Sequence, residues 1–183
     1  MPYRNGNYVA FDGLSQTNPV MSDFRYYAAL EGWAAGKGAY FKFVNSHDRT
    51  AAVRDTSLKE TLKRRIRDRL ALSKNVIVIL SEKTRQSGSM LSYEIEKAVD
   101  TYSLPLICVY PGYSAVLNPI ELSYRWPIIL KDKISSGLGT AIHIPFKKLP
   151  IIDAMGRFTV HTKRLSGGLN YYTLSAHRYF DCL

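Results

Sequence analysis

Cysteine is nearly absent: Cys108, inside an apolar run, and Cys182, at the penultimate position, are the only two in 183 residues. That number excludes a disulfide framework and offers no zinc-ligand spacing, so Cys108 reads as a small core residue. The four histidines, His47, His143, His161 and His177, have no spacing that sets two on one helix face, and no HExxH signature occurs. No metal is expected. Long apolar runs are also missing. None approaches the roughly 20 residues that a membrane helix needs, and no apolar signal region follows Met1. The expectation is a soluble cytoplasmic protein with no membrane partner. Two chemical signatures are lacking as well. Neither a Walker loop nor GxGxxG follows the first strand, so the usual glycine-rich phosphate cradle is missing, and without a GxSxG elbow serine hydrolysis is disfavoured. Residues 87–89 read as a polar loop. Repeats, low-complexity tracts and linkers are absent, which leaves no reason for a second domain.

What is present is ordinary globular material, 46% hydrophobic and 22% charged, in a length that suits one domain with a full core. Lys and Arg number 25 against 15 acids, and the formal charge of +10 favours polyanions or small anionic ligands such as dinucleotides. Much of the excess sits within residues 59–74. A basic run on an amphipathic helix is more often a solvated face, so nucleic-acid binding through residues 57–72 is a third reading and nucleic acid an unlikely partner.

The pattern along the chain alternates strands and helices. Residues 8–12 form a short β-type run ending in Asp12 and Gly13, followed by a polar loop. Ser22 or Asp23 caps a helix in which Phe24, Tyr27, Ala28, Leu30 and Trp33 recur near helical spacing. Residues 40–44 are the second strand, and 45–56 a polar loop. Ser57 and Glu60 form a capping box before Leu58, Leu62, Ile66 and Leu70 at intervals of four. Residues 75–80 show no alternation, which suits a strand buried on both faces of a parallel sheet. A helix over 90–102 places Leu91, Ile95, Ala98 and Val99 at core spacing. Strands follow at 106–110 and 141–144, with one short helix over 118–126 and an apolar run at 128–130 between them. A last helix begins within 145–154, where Pro150 interrupts or delays it, and the tail reads as a hairpin. The βαβ order predicts an α/β fold with right-handed crossovers.

In such a sheet, ligands bind outside the carboxyl ends of the strands. The loops there supply Phe11, Asp12 and Ser15, then His47, Asp48 and Arg49, then residues 81–85, with Glu94 on the helix that follows. They offer aromatic surface for a flat ring, basic groups for phosphates and a carboxylate for a developing cation. Each has an ordinary alternative: Phe11 as core, Asp48 as a turn cap, Ser81 as a turn former, Arg49 and Arg85 as solvated surface, Glu94 as a solvated helix residue.

Tyr8, Val9, Ala10, Phe11 and Asp12, then Asp23, Phe24 and Arg25, Trp33, Asp48, the stretch 73–84 and Ser92, Tyr93, Glu94 and Ile95 together resemble the TIR-like family. Within it the chain is most similar to the bacterial proteins that include the Thoeris antiphage sensor, over residues 8–145. The resemblance implies a flavodoxin-like three-layer α/β/α fold with five parallel strands: a TIR-like domain over residues 1–155, with residues 156–183 as an extension packed on it. In catalytic members it implies cleavage of the nicotinamide–ribose bond of NAD to give an ADP-ribose-type signal, with NAD as substrate and no permanently bound cofactor. Glu94 aligns with the family's catalytic glutamate. Phe11 and Asp12 align with the border of the nicotinamide pocket, and Asp48 with the mobile second-strand loop. Self-association through helices and an effector protein that responds to the product are the implied partners. One departure stands out. Many catalytic TIR domains carry tryptophan four residues before the glutamate, and here Met90 lacks the indole N–H and rigid plane. A non-catalytic module that binds a nucleotide or protein partners is therefore the alternative reading.

Overall fold

The computed structural model describes residues 3–13, 22–36, 43 and 56–183, the side chains of 56–58 excepted. Its strands are β1 (Gly6–Ala10), β2 (Ser73–Ile79), β3 (Leu106–Tyr110), β4 (Ala141–Pro145) and β5 (Asn170–Tyr171). Its helices are α1 (Phe24–Ala35), α2 (Thr56–Ala71), α3 (Met90–Asp100), α4 (Ile128–Ser135), α5 (Lys148–Arg157) and α6 (Leu174–Tyr179), with a 3-10 helix over Pro119–Arg125. The five strands pair in the order β1-β2-β3-β4-β5, all parallel.

Both faces of this sheet are covered, which explains why residues 76–79 of β2 and the whole of β3 read as unbroken apolar runs. Tyr8, Ala10, Val76, Val78, Leu80, Leu106 and Cys108 point to one face and meet Leu91, Ile95 and Ala98 of α3 and Leu130 of α4. Val9, Phe11, Ile77, Ile79, Ile107 and Val109 point to the other, against Tyr27 and Leu30 of α1 and Ile151 of α5. The fold is the expected three-layer, flavodoxin-like α/β/α arrangement. At about 1.5–3 kcal/mol for each fully buried aliphatic or aromatic side chain, these two faces supply most of the drive to fold. Burial also pushes the Cys108 thiol well above its ordinary pKa, which makes it an inert core group.

The strand expected over 40–44 lies outside the described residues except for Phe43, which bridges Asn7 of β1 in parallel. Because Asn7 also pairs with Asn75 of β2, Phe43 sits on the other side of β1. The described sheet still has five strands because the tail contributes one. The hairpin expected there is absent: β5 runs parallel to β4, pairing Asn170 with Ile142 and Tyr171 with His143, and the chain continues into α6. Two strands of one sheet that run the same way cannot form a hairpin. Pro150 does not interrupt α5. It is the third residue of that helix, within the first turn, where a missing N–H costs nothing.

Two buried histidines anchor the tail. Gly168 carbonyl oxygen can only accept, so His143 Nε2–H donates to it at 2.8 Å, leaving Nδ1 to accept from the Tyr110 hydroxyl at 2.7 Å. Trp126 Nε1–H donates to the same hydroxyl at 2.7 Å. A Cβ on Gly168 would lie 2.9 Å from Ile134, so only glycine lets the tail approach α4 this closely. His177 donates from Nδ1 to Thr173 carbonyl oxygen at 2.8 Å, and its Nε2 accepts from Val116 N–H at 3.3 Å.

Candidate active site

The period-two alternation of β1 sends Tyr8 and Ala10 towards α3, and the chain leaves the strand with Asp12 in the same phase. On α3, Leu91, Ile95 and Ala98 hold the apolar stripe against the sheet, and Glu94 lies between them. Its carboxyl group is therefore pulled inside the protein, with the residue only 2% exposed. The Tyr8 hydroxyl donates to Glu94 Oε1 at 2.6 Å. Glu94 Oε2 is equally buried and has no hydrogen-bond partner among the described residues. Native structures leave few buried polar atoms of this kind. Burial is the main cause that pushes the Glu94 pKa up to about 8; the Tyr8 hydrogen bond pulls it down and the nearby Asp12 charge raises it further.

Asp12 is itself buried and is held by one residue twice over. Arg85 donates its backbone N–H to Asp12 Oδ2 at 3.0 Å and closes a bidentate guanidinium pair, Nη2 to Oδ1 at 2.7 Å and Nε to Oδ2 at 2.9 Å. Asp12 contributes no exposed side-chain area to this pair, while Arg85 keeps 39%. Arg85 therefore keeps part of its side chain in water while its guanidinium matches the charge of a buried carboxylate.

The β2–α3 loop is pinned a second time. The Ser81 hydroxyl donates to Asp23 Oδ2 at 2.9 Å and accepts from Lys83 N–H at 3.2 Å, while Thr84 Oγ1 accepts from Ser81 N–H at 2.9 Å. Burial, with the neighbouring Asp12 charge, pushes the Asp23 pKa up to about 6 against the pull of the Ser81 hydrogen bond. Asp23 precedes α1 but makes no side-chain capping bond; Ser22 Oγ instead accepts from Phe24 N–H at 3.2 Å. Three carboxyl groups, Asp12, Asp23 and Glu94, thus gather at the carboxyl end of β1 and β2, with Arg85 bound to the first. Sequence reasoning did not assign Asp23 and Tyr8 to the site. Alternation from Asp12 back to Tyr8 was the available signal for the latter; for Asp23 nothing beyond a helix cap was legible.

The family model for the TIR-like domain of the Thoeris protein ThsB matches residues 8–115. The chain belongs to the Thoeris ThsB TIR-like family. It is thereby an antiphage defence signalling module. The matched segment carries residues 8–10 of β1 and all of α1, α2, β2, α3 and β3, and with them the whole acid cluster; α4, β4, α5 and the tail fall outside it. Within this TIR-like domain, Ser81 faces inward to Asp23. Phe11 packs against Tyr27 at 5.6 Å and Phe24 at 6.2 Å, on the sheet face opposite Glu94. Met90 opens α3 one turn before Glu94, half-buried, and lines a groove of about 480 Å³ with Lys59, Lys63 and Tyr93. Asp48, with Ser15, His47 and Arg49, lies outside the described residues. Among the described residues no group of three or more His, Cys, Asp or Glu is arranged to hold a metal, and no helix is long and apolar enough to cross a membrane.

Proposed function

We propose that this TIR-like domain cleaves the nicotinamide–ribose bond of NAD, with Glu94 as the catalytic carboxylate. The observation that carries this reading is Glu94 Oε2, buried and without a hydrogen-bond partner among the described residues. In the reaction the C–N bond breaks with its electron pair leaving on nicotinamide, which departs neutral. The ribose is left with oxocarbenium character, and an ionised Glu94 in a low-dielectric site stabilises that charge more than it could in water. Attack by water gives ADP-ribose and a proton; attack by a hydroxyl or ring nitrogen of the same or another molecule gives a cyclised or conjugated ADP-ribose signal. Tyr8 holds one carboxyl oxygen and leaves the other for the ribose. Purified protein incubated with NAD, alone and with phage lysate, is expected to release nicotinamide, and Glu94→Gln to abolish the release. Absence of release from a folded wild-type protein under both conditions would remove the catalytic claim.

A second reading, a nucleotide-binding module without turnover, draws on Met90. Its half-buried thioether offers neither the flat face nor the N–H donor of a tryptophan one turn before the glutamate. Thermal stabilisation by NAD or ADP-ribose without nicotinamide release would favour it.

A further inference from the structure

Arg125 is a fully charged side chain buried to 2% exposure, and it lies beyond the segment matched to the family. Burying a guanidinium is costly unless every direction it points in is answered. Here Nη1 donates to the carbonyl oxygens of Pro111 at 3.1 Å and Leu80 at 3.4 Å, Nη2 to Glu82 Oε1 at 3.1 Å, and Nε to the Tyr124 hydroxyl at 3.2 Å. The rings of Tyr113 and Tyr124 flank the cation at 4.9 and 5.6 Å. Leu80 is the residue immediately before Ser81. The same segment grips the other end of that loop: Gln86 Nε2 donates to Tyr124 carbonyl oxygen at 2.7 Å, Gln86 carbonyl oxygen accepts from Ile128 N–H at 2.8 Å, and Gln86 Oε1 accepts from Lys131 Nζ at 3.1 Å. The loop over 80–86, which sends Ser81 to Asp23 and Arg85 to Asp12, is therefore clamped at both ends by residues 124–131.

We infer that Arg125 is a positioning residue of the candidate site: it fixes the β2–α3 loop so that Ser81 and Arg85 hold Asp23 and Asp12 in the arrangement that keeps Glu94 buried. It touches neither Glu94 nor a reacting atom and acts through the loop. The inference rests on the reading of Glu94 as the reacting carboxylate for its functional meaning, although its structural content can be measured without turnover. The polar groups that act on Glu94 are Tyr8 and Asp12 from β1 and its end, with Arg85 on Asp12 and Arg69 of α2 acting on Tyr8.

The test is the ionisation midpoint of Glu94, followed by carboxyl-carbon NMR on glutamate-labelled protein, with Glu94→Gln identifying the signal. In Arg125→Met, which keeps the volume but loses the clamp, the midpoint is expected to fall by at least one pH unit towards an ordinary carboxyl as water enters. Direct loss of a positive charge would move it upward, so a midpoint unchanged or raised in a folded Arg125→Met protein overturns the inference. Should that variant not fold, Gln86→Ala removes only the side-chain bonds to Tyr124 and Lys131. It is then expected to lower the midpoint by a smaller amount, and no change overturns the inference. If both hold while wild-type protein releases no nicotinamide, the NAD reading fails and the positioning role stands.

Discussion

The balance at Glu94 sets stability against charge. Because its folded-state pKa, about 8, lies above the ordinary value of 4.5, the folded protein holds a proton that the unfolded chain has released. The stability gained from the neutral acid is complete below about pH 4.5 and is lost as pH rises through about 8, at about 1.4 kcal/mol per pH unit. Glutamine carries no such penalty. Glu94→Gln is therefore expected to become progressively more stable than wild type between pH 5 and 8, by denaturant titration at each pH. A constant difference across that range would mean that Glu94 is not buried as described. Tyr8→Phe removes the one hydrogen bond to the carboxyl group among the described residues. It is expected to cost about 1–3 kcal/mol near neutral pH and to move the Glu94 midpoint further upward, since that bond favours the ionised form. An unmoved midpoint would detach Tyr8 from the site.

Elements differ in how plainly the sequence announced them. α3 and β2 were legible because Leu91, Ile95, Ala98 and Val99 fall at helical spacing and residues 76–80 are uniformly apolar, both direct consequences of a sheet covered on two faces. That legibility brought Glu94 to the sheet edge. What was not legible was how the loop over 81–85 closes. Arg85 reads in sequence as any surface arginine, and only the return of β1 beside β2 brings Asp12 to it, 73 residues away in the chain. The tail misled for a similar reason: Gly167, Gly168 and the aromatics resemble a hairpin turn, while the pairing partner of Asn170 and Tyr171 is the distant β4. The Arg85–Asp12 pair carries a prediction at this scale. Arg85→Ala takes the guanidinium away from a buried carboxylate and leaves the backbone N–H bond to it, and the expected destabilisation is about 2–4 kcal/mol at neutral pH, reduced from a fully buried pair by the 39% exposure of Arg85. Equilibrium unfolding that shifts by under about 0.5 kcal/mol would show the pair to be dispensable.

Across the molecule, the acid cluster lies in the family-matched part, while its brace, its edge strand and the buried histidines of β4 and α6 lie beyond residue 115. The part without a family match thus bears on the site through Arg125 and on stability through His143. Burial depresses the His143 pKa to about 4, below its ordinary 6.5, despite the bond to Gly168 that raises it. The neutral ring's contribution is present above about pH 6.5 and is lost as pH falls through about 4, so wild type should lose up to about 3 kcal/mol over that window. His143→Gln, with no proton to take up, is expected to show a flatter acid limb; an identical limb would place the acid sensitivity elsewhere.

Nicotinamide release as a function of pH tests the central claim most directly. Its kcat/KM reports the free protein's essential group. If ionised Glu94 is that group, wild-type kcat/KM rises about tenfold per pH unit up to about pH 8 and then levels, and Glu94→Gln releases nothing at any pH. A profile flat from pH 6 to 9, or release that survives Glu94→Gln, would contradict the assignment.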